Sequence, residues 1–141
     1  MIDQLELIAV ASVALTARAL VETAGSELTF LGWRTLVLVG ASDEDPRLSE
    51  LADRLGMSRP STSKLVRRLV RRELLELADD PGDRRGVRVG LTSTGHRLLQ
   101  AVVAKRRELL MESLGGSWPD KVSSSDAGSL ALVAQRLGSW T

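Results

Sequence analysis

LADRLGMSRPSTSKLVRRLVRRELLELADDPGDRRGVRVGLTSTGHRLL, residues 51–99, is the stretch that decides the fold. It opens inside a short helix over residues 50–55, with Ser49 as its cap and Leu51, Ala52 and Leu55 on one face. Gly56 ends that helix. Ser58 is the next cap, with Pro60 in the first turn, where a missing N–H costs nothing. Thr62, Leu65, Val66 and Leu69 then recur at i, i+3, i+4 and i+7, the inward face of a second helix running to about Arg72. Residues 74–78 read as a strand and residues 79–86, DDPGDRRG, as a turn cluster. Val87, Val89 and Leu91 alternate with Arg88 and Gly90 as a second strand.

Two helices joined by a glycine turn, then a hairpin with a basic tip, make a winged helix-turn-helix. Ala52 is small where the two helices cross. Working outward, LTFLGWRTLVLVG at residues 28–40 is a further helix capped by Thr29, and residues 42–46 are an acidic turn. Ahead of it, apolar residues from Leu5 to Val21 surround a helix on all sides, the pattern of a helix buried against a partner. Gly25 and Ser26 end it. Downstream, Thr92 or Thr94 caps a long helix to about Leu114, and a last helix carries Leu130, Leu132, Val133 and Leu137. The expected fold is mainly α with a small β-hairpin wing. Residues 1–28 are expected to hold the N-terminal helix, 29–93 the winged helix-turn-helix and 94–141 the C-terminal helices.

Composition narrows the function. The chain of 141 residues is 43% apolar and 26% charged, as expected of a globular domain, and has no cysteine. Disulfides, thiolate zinc sites and cysteine nucleophiles are therefore excluded. The apolar run 7–17 follows Asp3 and Glu6 rather than basic residues and stops at Arg18. It is neither a signal peptide nor a membrane span, which points to a cytoplasmic protein. The net charge of +1 conceals an asymmetry: residues 54–88 hold ten Lys/Arg against five acids, while the rest of the chain is net negative. Basic charge confined to one stretch is the footprint of a nucleic-acid binder.

That charge lies on the outward side of the second helix. Ser61, Ser63, Lys64, Arg67, Arg68 and Arg71 avoid the apolar face. Short hydroxyls near the helix start can approach base edges and phosphates, and the long cations can reach guanine acceptors or the backbone. The helix N-terminus itself favours a phosphate.

Residues 28–113 resemble the MarR family of winged helix-turn-helix regulators. The wing carries the specific part of the resemblance: Asp80, Pro81, Asp83, Arg84 and Arg85, then Leu91, Thr92 and Gly95. The helix at residues 28–40, with Trp33, is similar to the one preceding the motif in that family. The resemblance implies a homodimer through the terminal helices, recognition helices in successive major grooves and a wing arginine, Arg85, in the minor groove. Arg84 stands beside it, and Asp83 would hold its geometry. The DNA-contacting set expected on these grounds is Ser58, Arg59, Ser61, Ser63, Lys64, Arg67 and Arg68 from the helix, with Asp83, Arg84, Arg85 and Arg88 from the wing. The partners are double-stranded DNA, a second copy of the chain and a small-molecule effector, and the expected action is ligand-relieved repression. The sequence departs from the pattern in two places. Glu73 replaces the glycine that closes the recognition helix, and Leu77 and Ala78 stand where basic residues are frequent.

Other residues carry less. His96 is the only histidine and cannot build a multi-histidine metal site. Trp33 is either core or the lining of an effector pocket, and Trp118 and Trp140 flank the last helix. Nothing resembles a phosphate loop, a nucleophile elbow or a catalytic carboxylate pair, so no cofactor or enzymatic activity is expected. The competing non-enzymatic reading is a winged-helix interaction module docking an acidic protein.

Overall fold

The computed structural model describes residues 4–25 and 28–113. The chain divides after Leu109 into two compact units, so all but the end of the last described helix belongs to the first. The elements run α1 (Gln4–Ala24), α2 (Phe30–Gly40), α3 (Leu48–Leu55), α4 (Arg59–Arg71), β1 (Leu75–Asp80), β2 (Asp83–Leu91) and α5 (Ser93–Ser113). The helix expected near residues 123–137, with Trp118 and Trp140, lies outside the described residues.

The core is where the apolar periodicities meet. Leu36 and Val39 of α2, Leu51 and Leu55 of α3, Leu65, Val66 and Leu69 of α4, Leu75 and Val89 of the hairpin and Val102 of α5 form one buried cluster. Full burial of each such side chain is worth about 1.5–3 kcal/mol. Ala52 is buried, as the close helix crossing requires. Trp33 belongs to this core at 5% exposure. Buried hydroxyls are satisfied within their own helices: Thr35 donates to the Leu31 carbonyl at 2.8 Å and Thr62 to the Ser58 carbonyl at 3.0 Å.

Helix ends follow the sequence at most points. Thr29 Oγ1 accepts from the Gly32 N–H at 3.1 Å and Ser58 Oγ from the Ser61 N–H at 3.3 Å. Gly56 closes α3 in the left-handed region at φ 66°. The exception is the start of α3. Arg47, not Ser49, is its cap, and the Glu50 carboxylate accepts the Arg47 N–H at 2.9 Å. Residues 46 and 47 are held extended because the Val89 N–H donates to the Pro46 carbonyl at 2.9 Å and Arg47 bridges Arg88. The helix therefore begins two residues sooner and Ser49 falls inside its first turn.

The hairpin is also longer than its sequence suggests. Ladder pairing runs from Leu75↔Leu91 to Asp79↔Val87 and then jumps to Asp80↔Asp83. Pro81 and Gly82 alone link the strands, and Arg84, Arg85 and Gly86 make a bulge in β2 rather than a loose turn.

Glu73 closes α4 as the family's glycine would, at φ 57°. The Glu73 N–H donates to Val70 O at 2.9 Å and the Leu74 N–H to Leu69 O at 3.0 Å, the paired bonds of a left-handed helix cap. A side chain in this conformation costs roughly 1–2 kcal/mol, partly offset by the lower unfolded-state entropy of a non-glycine residue. Glu73→Gly is thus expected to raise stability by about 0.5–1 kcal/mol in urea denaturation. A loss of stability would show that the glutamate side chain is needed there.

On the other side of the core, α1 packs with one face only. Thr16, Ala19 and Leu20 are buried, whereas Ile8, Val10, Val13 and Val21 are more than half exposed. Glu22 ties α1 to α5 through Lys105 at 3.0 Å and accepts from Arg18 at 2.9 Å. Lys105, and then Arg18, hold its carboxyl below the usual range.

Candidate nucleic-acid interface

The outward face of α4 is built as the periodicity requires. Burying Thr62, Leu65, Val66 and Leu69 leaves Ser61, Lys64, Arg67, Arg68 and Arg71 exposed and Ser63 half-buried. Pro60, Ser63, Lys64, Arg67 and Arg71 line one shallow groove along the helix. Ser58 sits at the start of this face, but its hydroxyl is committed to capping: it accepts from Ser61 N–H and donates to Ser61 Oγ at 2.9 Å.

Arg59, at the start of α4, shares a second cleft of about 390 Å³ with Arg47 at the cap of α3 and Arg85 of the wing. The structure thus brings together the basic start of α4 and the wing, at Arg59 and Arg85, which are 26 residues apart in sequence. Among the described residues, neither the Arg84 nor the Arg85 side chain is paired with a carboxylate, and both are exposed. Asp83 holds Arg85 through the backbone: its Oδ1 accepts the Arg85 N–H at 2.9 Å, fixing the bulge and leaving the guanidinium free.

Arg88 is different. Sequence placed it with the DNA-contacting set, but the fold places it half-buried against Asp80 at 3.3 Å and Glu44 at 3.5 Å, donating to the Asp45 carbonyl at 2.8 Å. With Nε and Nη1 held in the wing base, Arg88 ties the hairpin to the turn before α3. Trp33, the one residue considered for effector binding, is core.

Asp80, which sequence reasoning named only as part of the wing pattern, and Arg47, which it did not name, organise this region. Asp80 is a buried carboxylate with a side-chain exposure of 1%. Its Oδ1 accepts the Gly82 N–H at 3.0 Å and Arg88 Nε at 3.3 Å, and its Oδ2 accepts from Arg47 Nε. The Gly82 N–H, followed by Arg47 and Arg88, holds its carboxyl below the usual range against the opposing effect of burial. The Asp-Pro-Gly run carried a signal for the Gly82 contact, because aspartate commonly accepts the N–H two residues on. Arg47, 33 residues away, carried none.

A folded-state carboxyl that is harder to protonate than its unfolded form stabilises the fold above the unfolded pKa of about 3.9. That contribution is lost as pH falls through the lower folded value. Asp80→Asn is therefore expected to be less stable than the wild type at pH 7 and to lose less of its remaining stability below about pH 4. Parallel acid-unfolding curves by circular dichroism check this. Curves of equal steepness would remove Asp80 from the acid response.

The comparisons with known proteins agree with this geometry. Residues 26–86 match the model of the MarR family. The HTH-type transcriptional regulator YsmB of Bacillus subtilis is 35% identical over 83 residues, 59% of this chain and 54% of that one. The HTH-type transcriptional repressor NicR of Pseudomonas putida is 39% identical over 67 residues, 48% of this chain and 42% of that one. The chain thus spans about half the length of the curated relatives it matches. Similarity to a crystal structure of a MarR-family transcriptional regulator from a Rhodococcus species extends further, covering 92% of this chain and 89% of that one at 25% identity and a TM-score of 0.65. With the glycine turn, the capped α4 and the wing in that order, the chain is similar over residues 26–86 to the MarR family of winged-helix proteins.

Proposed function

We propose that the chain is a DNA-binding transcription regulator that acts as a homodimer on a pseudo-palindromic duplex site. The observation that carries the reading is the continuity of basic surface from α4 into the wing, with Arg59 and Arg85 in one cleft and Lys64, Arg67 and Arg71 along one groove. A row of cations at these positions suits a duplex backbone, and the exposed face of a capped helix suits a major groove. Repression is the sign favoured by similarity to a protein named as a repressor. Relief by a small-molecule effector and a cytoplasmic location complete the proposal. No described helix is long and apolar enough to cross a membrane.

The two reading elements make different contacts. Arg85 at the wing enters a narrow minor groove, where a guanidinium gains from the negative potential without reading much sequence. Lys64 reaches base edges. Arg85→Ala is expected to weaken binding to every duplex and to lower the salt slope by about one unit per protomer. Lys64→Ala is expected to cost about 1–3 kcal/mol on the specific site and to narrow its advantage over random DNA. Fluorescence-anisotropy titrations at several salt concentrations, using the promoter region of the chain's own gene and a random duplex, test both. Absence of binding to any duplex, with retained binding to an acidic protein, would favour the interaction-module reading instead.

A further inference from the structure

We propose, resting on the DNA-binding reading above, that Arg47 is a further contact to the duplex backbone and that the buried Asp80 is the positioning residue that presents it. Arg47 stands at the cap of α3, the helix that does not read bases. Its Nε donates to Asp80 Oδ2. The guanidinium has four further N–H donors. Among the described residues none of these meets an acceptor, and the side chain remains 41% exposed. It opens onto the cleft shared with Arg59 and Arg85.

The half-exposed guanidinium keeps its remaining donors within reach of an acceptor on the solvent side. Here the carboxylate is buried and the cation is not. Asp80 also fixes the link between the strands through Gly82 and the wing base through Arg88, so one carboxylate sets the spacing of Arg47 from the bulge that carries Arg85. The charges facing the cleft are Arg47, Arg59, Arg85 and Asp83, with Glu50 on the neighbouring turn of α3. Arg59 and Arg85 have no carboxylate partner among the described residues, and Arg47 keeps four N–H donors beyond its bond to Asp80, so the cleft walls present donors that a phosphodiester satisfies. The groups are also spread over three elements, so a single phosphate contact there registers α3, α4 and the wing on the same strand.

The test turns on a difference of sign. Asp80→Asn removes a negative charge from the DNA side of the molecule. A bystander carboxylate would make that variant bind all duplexes more tightly, with an unchanged or steeper salt slope. A positioning carboxylate makes the slope fall by about one unit per protomer, matching Arg47→Ala. Affinity for the promoter duplex then falls roughly tenfold in both variants, and the double variant is no worse than either single one. Arg47→Lys keeps the charge and leaves Asp80 in place, so it restores the salt slope. That readout also carries the test if Asp80→Asn melts below the assay temperature. An unchanged slope in Arg47→Ala, or uniformly tighter binding by folded Asp80→Asn, overturns the proposal. Failure of the wild-type chain to bind any duplex defeats the DNA-binding reading instead, and the two results are distinguished within the same titrations.

Discussion

Gly95→Ala is expected to lower the unfolding free energy by about 2 kcal/mol or more, although alanine is the better helix former. A Cβ at residue 95 would stand 2.1 Å from the Leu74 carbonyl oxygen and 2.9 Å from Leu91 Cδ2. The first of these atoms is backbone, locked by the cap that closes α4 and by the Thr92 N–H, which donates to it at 3.3 Å. It cannot step aside without opening the junction between the reading helix and the wing. Overpacking of this kind costs about 3 kcal/mol, and the gain in helix propensity returns about 1 kcal/mol. Gly90→Ala is the matched control. The three atoms nearest its Cβ all belong to the carboxylate of Asp45, the closest at 2.6 Å, and Asp45 is an exposed side chain that can turn away. That variant is expected to stay within about 0.5 kcal/mol of the wild type. Equilibrium urea unfolding of both measures the contrast, and equal costs would show that the close approach of Leu74 is not what requires glycine at residue 95.

The second large effect concerns assembly. Val10, Val13 and Val21 share one side of α1, with exposures of 60%, 53% and 64%. A small protein seldom leaves such an apolar row in water, and a second copy offers a matching row under a two-fold axis. With Val10→Glu and Val13→Glu together, like charges would face each other across that axis. The double variant is expected to scatter light at one chain mass where the wild type gives two. Promoter binding is expected to fall about a hundredfold or more, because two half-sites joined in one molecule gain about 10²–10⁴ in avidity over separate ones. A variant that remains a dimer would move the interface elsewhere on the chain.

Thr92 shows how far local sequence carries. It was one of two candidate caps for α5, and its hydroxyl accepts the Gly95 N–H at 2.9 Å. The same hydroxyl donates to the Glu73 carbonyl at 2.5 Å, a contact across nineteen residues that no local pattern announces. The Leu-Thr-x-x-Gly run thus reads as a helix start in sequence. In the fold it is also the clamp that holds the left-handed Glu73 and leaves room for the Leu74 carbonyl.

What the sequence by itself determined is whatever depends on neighbours within a turn or two. The inward face of α4, the caps at Thr29 and Ser58, the left-handed Gly56 and the basic outward stripe all follow from spacing, because a helix repeats every 3.6 residues regardless of what packs on it. The functional reading came from the same source. What only the tertiary structure decided is which charges are free. Arg85 and Arg88 look alike in the chain, yet one is exposed at the bulge and the other is spent on Asp80, Glu44 and the Asp45 carbonyl. Arg47 carries no local signal of its role, because its partner Asp80 is 33 residues away. A buried carboxylate takes whichever cations the backbone places beside it, and that placement depends on how α3 meets the hairpin, which no periodicity within either segment encodes.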